Sequence, residues 1–257
     1  MSQILTISEI ISETSPTPIL TPIHPIDIFP PADIESNEPE LASSLHLHQI
    51  FLLISCLEFL WRERNDYFAA GNLSIYFKPE PNQAPEFRGP DFFVVLGVEK
   101  KERKSWVVYH EGGIYPHVIV EILSDSTAKV DRTTKKLLYQ DIFRTPNYFW
   151  FDPETLEFQG FHLVAGEYVT LQPNERGHLW SRELQLFLGI HESKLRYFTP
   201  TGELVPTTEE AWQQEQDRAN RETQRAELET QRAEEAIAQA EKLADKLREL
   251  NIDPEQV

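Results

Sequence analysis

The run Val118-Ile119-Val120-Glu121-Ile122-Leu123 limits the fold more than any other stretch of the chain. A continuous apolar segment of this length, rich in β-branched residues, suits a strand covered on both faces, which requires a layer above and a layer below it. Glu121 breaks the pattern. A buried carboxylate has to be met by a cation, by a hydrogen-bond network or by an exit at the strand end. Taken alone, an exit to solvent near Ser124 accounts for Glu121 as well as a chemical role does.

The neighbouring segments define the layers. Leu73 to Phe77, Asp91 to Gly97 and Trp106 to Tyr109 read as strands, as do Asn147 to Phe151, Glu157 to Leu163 and Tyr168 to Leu171, with Pro153 and Gly166 as turns. Before them, Leu45, Gln49, Leu52, Leu53, Leu57, Leu60 and Trp61 recur at helical spacing behind Ser43 or Ser44 as N-cap, predicting a buried helix to about Arg64. A second helix is expected from Ser126 or Thr127 to Phe143, its broken apolar face carried by Val130, Leu137, Leu138 and Ile142. The body therefore reads as α/β with a mixed sheet.

The ends differ in composition. Residues 1–39 hold seven prolines, from Pro16 to Pro39, and read as a flexible lead. Residues 40–206 form the expected body. Residues 207–257 turn to Glu, Gln, Arg and Ala with no proline before Pro254, predicting a long helix. Ala226, Ala233, Ala240 and Leu247 fall seven apart, and Ala236, Leu243 and Leu250 follow three later, so the tail is expected to form a coiled coil with a second copy or another partner through residues 207–250.

Net charge is −18, with 14 acids against 7 bases in residues 207–257 alone. Such a balance opposes tight, nonspecific nucleic-acid binding, which rests on basic surfaces, although a local basic patch is compatible with it. The only cysteine, Cys56, lies in an apolar stretch and reads as core packing. No stretch reaches the ~20 apolar residues of a membrane span, and the first Lys or Arg is Arg62, so a cytoplasmic chain is expected.

Gly89-Pro90-Asp91 delivers a carboxylate to the mouth of the strand Phe92 to Leu96. If that strand pairs with the one carrying Glu121, the two acids converge as hard oxygen ligands suited to Mg²⁺ or Mn²⁺. Asp131, Lys135 and Tyr139 are spaced by four and share a helix face. Alone, they describe an ordinary intrahelical ion pair better than a site.

In this order, Gly89-Pro90-Asp91, Ile119-Val120-Glu121-Ile122-Leu123-Ser124 with Ser126-Thr127, Asp131-Lys135-Tyr139 and Tyr148-Phe149-Trp150-Phe151-Asp152-Pro153 resemble the Uma-two family of restriction-endonuclease-like proteins, within the PD-(D/E)xK nuclease superfamily. The resemblance spans about Leu41 to Leu204. It implies a restriction-endonuclease-like core with Asp91 and Glu121 as metal ligands, a catalytic Lys135 in place of the superfamily lysine two residues after the Glu, where Leu123 stands here, Lys136 as the fallback and Tyr139 in support. The activity implied is Mg²⁺- or Mn²⁺-dependent hydrolysis of DNA phosphodiester bonds. Lys100, Lys101, Arg103 and Lys104, with Arg88, Lys129 and Arg132, are candidate phosphate contacts; Lys100 to Lys104 read equally as a solvated hairpin tip.

The superfamily's frequent first-helix acid has no clear counterpart: the matching place falls near Ala42, with Glu40 and His46 the nearest substitutes. His46 and His48, two apart on different faces of a helix, read as ordinary histidines. The competing function is a nuclease-fold module without catalysis, working as a scaffold through its acidic surface and helical tail.

Overall fold

A computed structural model describes residues 29–38, 43–78, 85–124 and 128–249. The first helix, α1 (Ser44–Leu60), opens where Ser43 accepts the His46 amide and closes at Trp61. It buries His46, Gln49, Ile50, Leu53, Cys56 and Leu57. Gln49, Leu53, Leu57 and Trp61 are buried as expected, whereas Leu45 and Leu60 are exposed and His46, Ile50 and Cys56 are buried instead.

Among the described residues, twelve strands follow: β1 (Tyr67–Gly71), β2 (Ile75–Lys78), β3 (Glu86–Arg88), β4 (Phe92–Leu96), β5 (Trp106–Val107), β6 (Val118–Ile122), β7 (Asn147–Phe151), β8 (Phe158–Val164), β9 (Glu167–Thr170), β10 (Leu179–Ser181), β11 (Leu186–His191) and β12 (Lys194–Phe198). The central sheet has the order β1-β4-β6-β7-β8-β9. It is mixed, because β6 and β7 run parallel whereas the other neighbours are antiparallel. The parallel step needs a crossover connection. That crossover holds α2 (Ala128–Val130), a π-helical turn (Asp131–Lys135) and α3 (Lys136–Asp141). Ser126 and Thr127, the expected caps, lie outside the described residues.

Period-two alternation sends side chains of the central strands to opposite faces. Phe92, Val94, Val118, Val120, Ile122, Phe149 and Phe151 point toward α1 and the β10-β11-β12 sheet. Phe93, Val95, Ile119, Leu123, Tyr148 and Trp150 point toward α3 and the β3-β2-β5 sheet. Gln49 fastens α1 to the second sheet by donating to the Leu195 carbonyl (2.9 Å) and accepting from the Leu195 amide (3.0 Å). Cys56 lies in the α1 layer, and burial pushes its thiol up to about 11, in keeping with a packing role.

Several regions depart from expectation, among them β1 and β3, which were not expected as strands. Residues 29–38, expected as the end of the flexible lead, lie against the body: Phe29 stacks on Tyr109, the Ser105 hydroxyl donates to the Ile34 carbonyl (2.7 Å), and Ser36 accepts from the Ser74 amide (3.0 Å). The β10-β11-β12 sheet was not expected at all, although it forms much of the α1-side core. Beyond it, α4 (Thr208–Glu249) runs 42 residues with none buried. Leu250, the last residue of the expected seam, lies outside the described residues. No helix among the described residues is long and apolar enough to cross a membrane.

Candidate active site

Antiparallel pairing of β4 with β6 sets Phe92 opposite Val120. Continuing that register places Asp91 opposite Glu121, at the end where the chain leaves β4. The turn after β1 holds this corner, since the Asn72 amide donates to the Asp91 carbonyl at 3.0 Å. Gly89 leaves room nearby for the Glu38 carboxylate, which a Cβ there would push aside.

The two acids interlock through the backbone. Glu121 Oε2 accepts from the Asp91 amide (3.3 Å), and Asp91 Oδ2 accepts from the Ile122 amide (2.7 Å). Asp91 Oδ1 lies 2.9 Å from His46 Nε2. Glu121, fully buried on the α3 side, also accepts from the Tyr139 hydroxyl at Oε1 (2.7 Å) and from Lys135 Nζ at Oε2 (3.0 Å). Lys135 Nζ sits 2.9 Å from Asp131 Oδ1 as well. The π turn carries both Asp131 and Lys135 and presents them toward β6, in keeping with the frequent placement of π-helical turns at functional sites.

Burial dominates the electrostatics. Desolvation, reinforced by the charges of Asp91 and Asp131, pushes the Glu121 carboxyl well above its ordinary range against the pull of Lys135 and Tyr139. At Asp91 burial also pushes upward, but the contact and charge of His46, the charge of Lys135 and the Ile122 amide outweigh it, and the carboxyl lies below its usual range. Lys135 holds its proton more tightly than a free lysine: burial opposes this, but Glu121, Asp131 and Asp91 overcome it.

These groups are consistent with an added cation. Asp91, Glu121 and Asp131 are largely or wholly withdrawn from water, and Lys135 is the ammonium placed among them. Neither Asp131 carboxylate oxygen makes a directed hydrogen bond among the described residues. Among those residues no three His, Cys, Asp or Glu side chains form a ready-made cage. A hard divalent ion does not require one, since it commonly binds one or two carboxylates and completes its shell with water and substrate phosphate.

Asp91, Glu121, Lys135 and Tyr139 thus meet at one end of the central sheet. Lys136, the fallback lysine, does not join them; its ammonium lies over the Phe161 ring, 3.7 Å from the centroid. The proposed phosphate-binding loop is also elsewhere. Lys100 donates to the Asn65 carbonyl, and Tyr67 pairs with Leu96, so this loop lies at the far end of β4 from Asp91. Arg103 is paired with Glu111 (2.7 Å), Lys104 with Glu35 (2.6 Å) and Lys101 with Glu99 (3.6 Å). Arg132, near the site in sequence, pairs with Glu157 (2.6 Å).

Two contacts escaped the sequence reading. His46, read as a surface or core histidine and as a nearest substitute for the first-helix acid, is buried, with its ring against Asp91; the signal for its burial was its position three before Gln49 and four before Ile50, both in the buried stripe of α1. Glu38 accepts from the Ser74 hydroxyl (2.7 Å), and its carboxyl is raised by burial, with the charges of Lys135 and Asp91 also acting on it. Nothing in its local sequence distinguished it from Glu35 or Glu40. Glu40 and Ala42 lie outside the described residues.

A mixed sheet flanked by helices, with this carboxylate-lysine corner and a long C-terminal helix, defines a restriction-endonuclease-like α/β protein. The family model "Uma2: Putative restriction endonuclease" matches residues 38–195, and the chain belongs to that family. It is similar to a crystal structure from Anabaena variabilis ATCC 29413 described as "a putative nuclease belonging to DUF820", with 14% identity and a TM-score of 0.41 over 57% of this chain and 76% of that one. No curated protein matches the chain.

Proposed function

We propose that the chain is a metal-dependent endonuclease hydrolysing DNA phosphodiester bonds, with Asp91 and Glu121 as the metal ligands and Lys135 as the catalytic cation. The observation that carries this reading is the meeting of those three side chains at one sheet end, within the stretch matched by the family model. Mg²⁺ or Mn²⁺ bound there would polarise the scissile phosphate and acidify bound water.

The protein's own groups set up that chemistry. The Ile122 amide fixes one Asp91 oxygen, and Tyr139 fixes one Glu121 oxygen. Lys135, held between Glu121 and Asp131, is placed to offset charge that develops on the phosphate in the transition state. Nicking of supercoiled plasmid with Mg²⁺ or Mn²⁺, compared between the native chain and Lys135→Ala, tests the assignment. Activity confined to the native chain supports it, and equal nicking removes Lys135 from the reaction.

A second reading has its own support. Arg103, Lys104, Lys101 and Arg132 are committed to acidic partners, which reduces the positive surface available to phosphates. On that reading the domain is a catalytically weak scaffold. Under either reading, residues 40–206 are the functional body and residues 207–257 a coiled-coil tail that drives self-association or partner binding. The exposed Leu243, on the heptad seam of α4, favours such a role.

A further inference from the structure

We infer that the cleft between α1 and the β11-β12 turn is a subsite for an unpaired nucleotide of a DNA strand, beside the phosphate to be cleaved. The inference names the substrate class of the endonuclease reading, a strand with unstacked bases, and rests on that reading.

Position is the first support. Ile122, whose amide fixes Asp91, pairs with Phe151, and Pro153, which lines the cleft, follows two residues later. On α1, Leu45 and His48 line the cleft, whereas His46 between them turns to Asp91. The cleft therefore opens at the same end of the central sheet as the corner. Two strand spacings, about 10 Å, separate β4 from β7, a span that one or two nucleotides bridge.

The lining is the second support. The cleft encloses about 340 Å³, within the range of roughly 300–1,000 Å³ typical of small-molecule sites. Leu45, Leu52 and Pro153 offer apolar surface to the faces of a base, and the His48 ring offers a stacking partner. Leu45 is 54% exposed, so its surface is not committed to the core. Lys194 is the cation of the lining, with no ion pair or hydrogen bond among the described residues, and its charge reaches Glu210 from a distance. Arg103, Lys104 and Arg132, by contrast, are paired with acids. Lys194 is thus free to meet a phosphate, and Glu192 to accept from the N–H that every base carries on its pairing edge.

The turn itself points the same way. Glu192 and Ser193 hold φ of 49° and 61°, a region that glycine enters at least cost. Side chains are nevertheless present at both positions, and both line the cleft.

Base contacts also suit the charge of the chain. A net charge of −18 opposes binding carried by phosphates alone, whereas stacking adds affinity without a basic surface. In a duplex the bases stack on one another and their faces are closed to the cleft, so the subsite selects an unpaired strand.

The test measures fluorescence anisotropy of a labelled single-stranded oligodeoxynucleotide and of the blunt duplex of the same sequence, in chelator so that neither is cut. The native full chain is compared with Leu45→Ala/His48→Ala and with Lys194→Gln, after circular dichroism establishes folding; His48→Ala alone replaces the double variant if that one is not folded. Expected are tighter binding of the single strand than of the duplex, a loss of about tenfold for the single strand in the double variant, and little change for the duplex. Lys194→Gln should reduce the salt dependence of single-strand binding by about one phosphate contact. Single-strand binding that the folded double variant leaves unchanged, or a native preference for the duplex, overturns the subsite and leaves the endonuclease reading standing. Thymidine 5′-monophosphate bound as tightly as the strand would mark a site for free nucleotides and overturn the assignment to a DNA strand. Binding of neither DNA by the native chain overturns the endonuclease reading, and the subsite with it.

Discussion

Glu121 and Asp91, thirty positions apart in the chain, are joined at the end of the central sheet where the Asp91 amide donates to Glu121 Oε2 at 3.3 Å. This contact keeps a carboxylate in an otherwise apolar strand, because Lys135 and Tyr139 engage the same side chain from the crossover helix. Removing any member of this group exposes what the others compensate.

Lys135→Met should be the most damaging single change at the site. It strips the ammonium from the buried carboxylates Glu121 and Asp131, a type of change that costs roughly 3–5 kcal/mol. A lowered melting temperature that Mn²⁺ partly restores is expected in thermal melts, because an added cation would replace part of the lost charge. A melting temperature equal to that of the native chain would show that Lys135 neutralises nothing important.

Tyr139→Phe removes only a hydroxyl, but it leaves Glu121 Oε1 buried without its 2.7 Å partner. The expected cost is about 1–3 kcal/mol, read from urea unfolding as a lower midpoint with an unchanged slope. Tyr168→Phe is a comparison outside the corner, since that hydroxyl donates to the Thr145 carbonyl instead.

Metal binding should strengthen as pH rises. Burial holds the Glu121 carboxyl above its ordinary range, so the folded chain keeps this proton where the unfolded chain has already lost it. The stability linked to this proton is therefore complete below the ordinary carboxylate range and is lost as pH rises through the raised value. A divalent ion selects the ionised form and expels the proton. Calorimetry of Mn²⁺ binding in two buffers of different ionisation enthalpy should detect proton release, which Glu121→Gln should abolish. A buffer-independent enthalpy in the native chain would contradict the shift.

The position of a cut through the tail should decide its effect. Arg196, buried on β12, donates to Glu210 at 3.0 and 2.6 Å and to the Val205 carbonyl at 3.0 Å, which ties the first turn of α4 to the body. A chain ending at residue 214 keeps this tie and should fold as stably as the full chain but with a lower mass in light scattering. A chain ending at residue 206 deprives Arg196 of Glu210 and should also melt earlier. Unchanged mass in the first of these would show that the tail does not mediate self-association.

Much of the core was legible because its signals are local. The Val118 to Leu123 run marked a two-sided strand, and Asn147 to Phe151 gave β7 to the residue. Asp91, Glu121 and Lys135 could be ordered along the chain because each followed a recognisable strand or helix signal. The β10-β11-β12 sheet was hidden because its connecting turns use Gln185, Glu192 and Ser193 at positive φ where glycine or asparagine would have announced them. The contact of His46 with Asp91 and the place of Glu38 were hidden for another reason. Their roles depend on contacts with Asp91 and Gly89, which are more than forty residues away and are invisible to periodicity. The basic loop shows the converse error, since a cluster of Lys and Arg in sequence proved to be paired with acids brought in by the fold.

The shared cation is tested most directly by titrating the full chain with Mn²⁺ while following its melting temperature, beside Asp91→Ala and Glu121→Ala. Binding to the folded state alone raises the midpoint in proportion to the logarithm of saturation. The account predicts a rise in the native chain and none in either variant. A rise of equal size in all three, or no rise in the native chain, would contradict it.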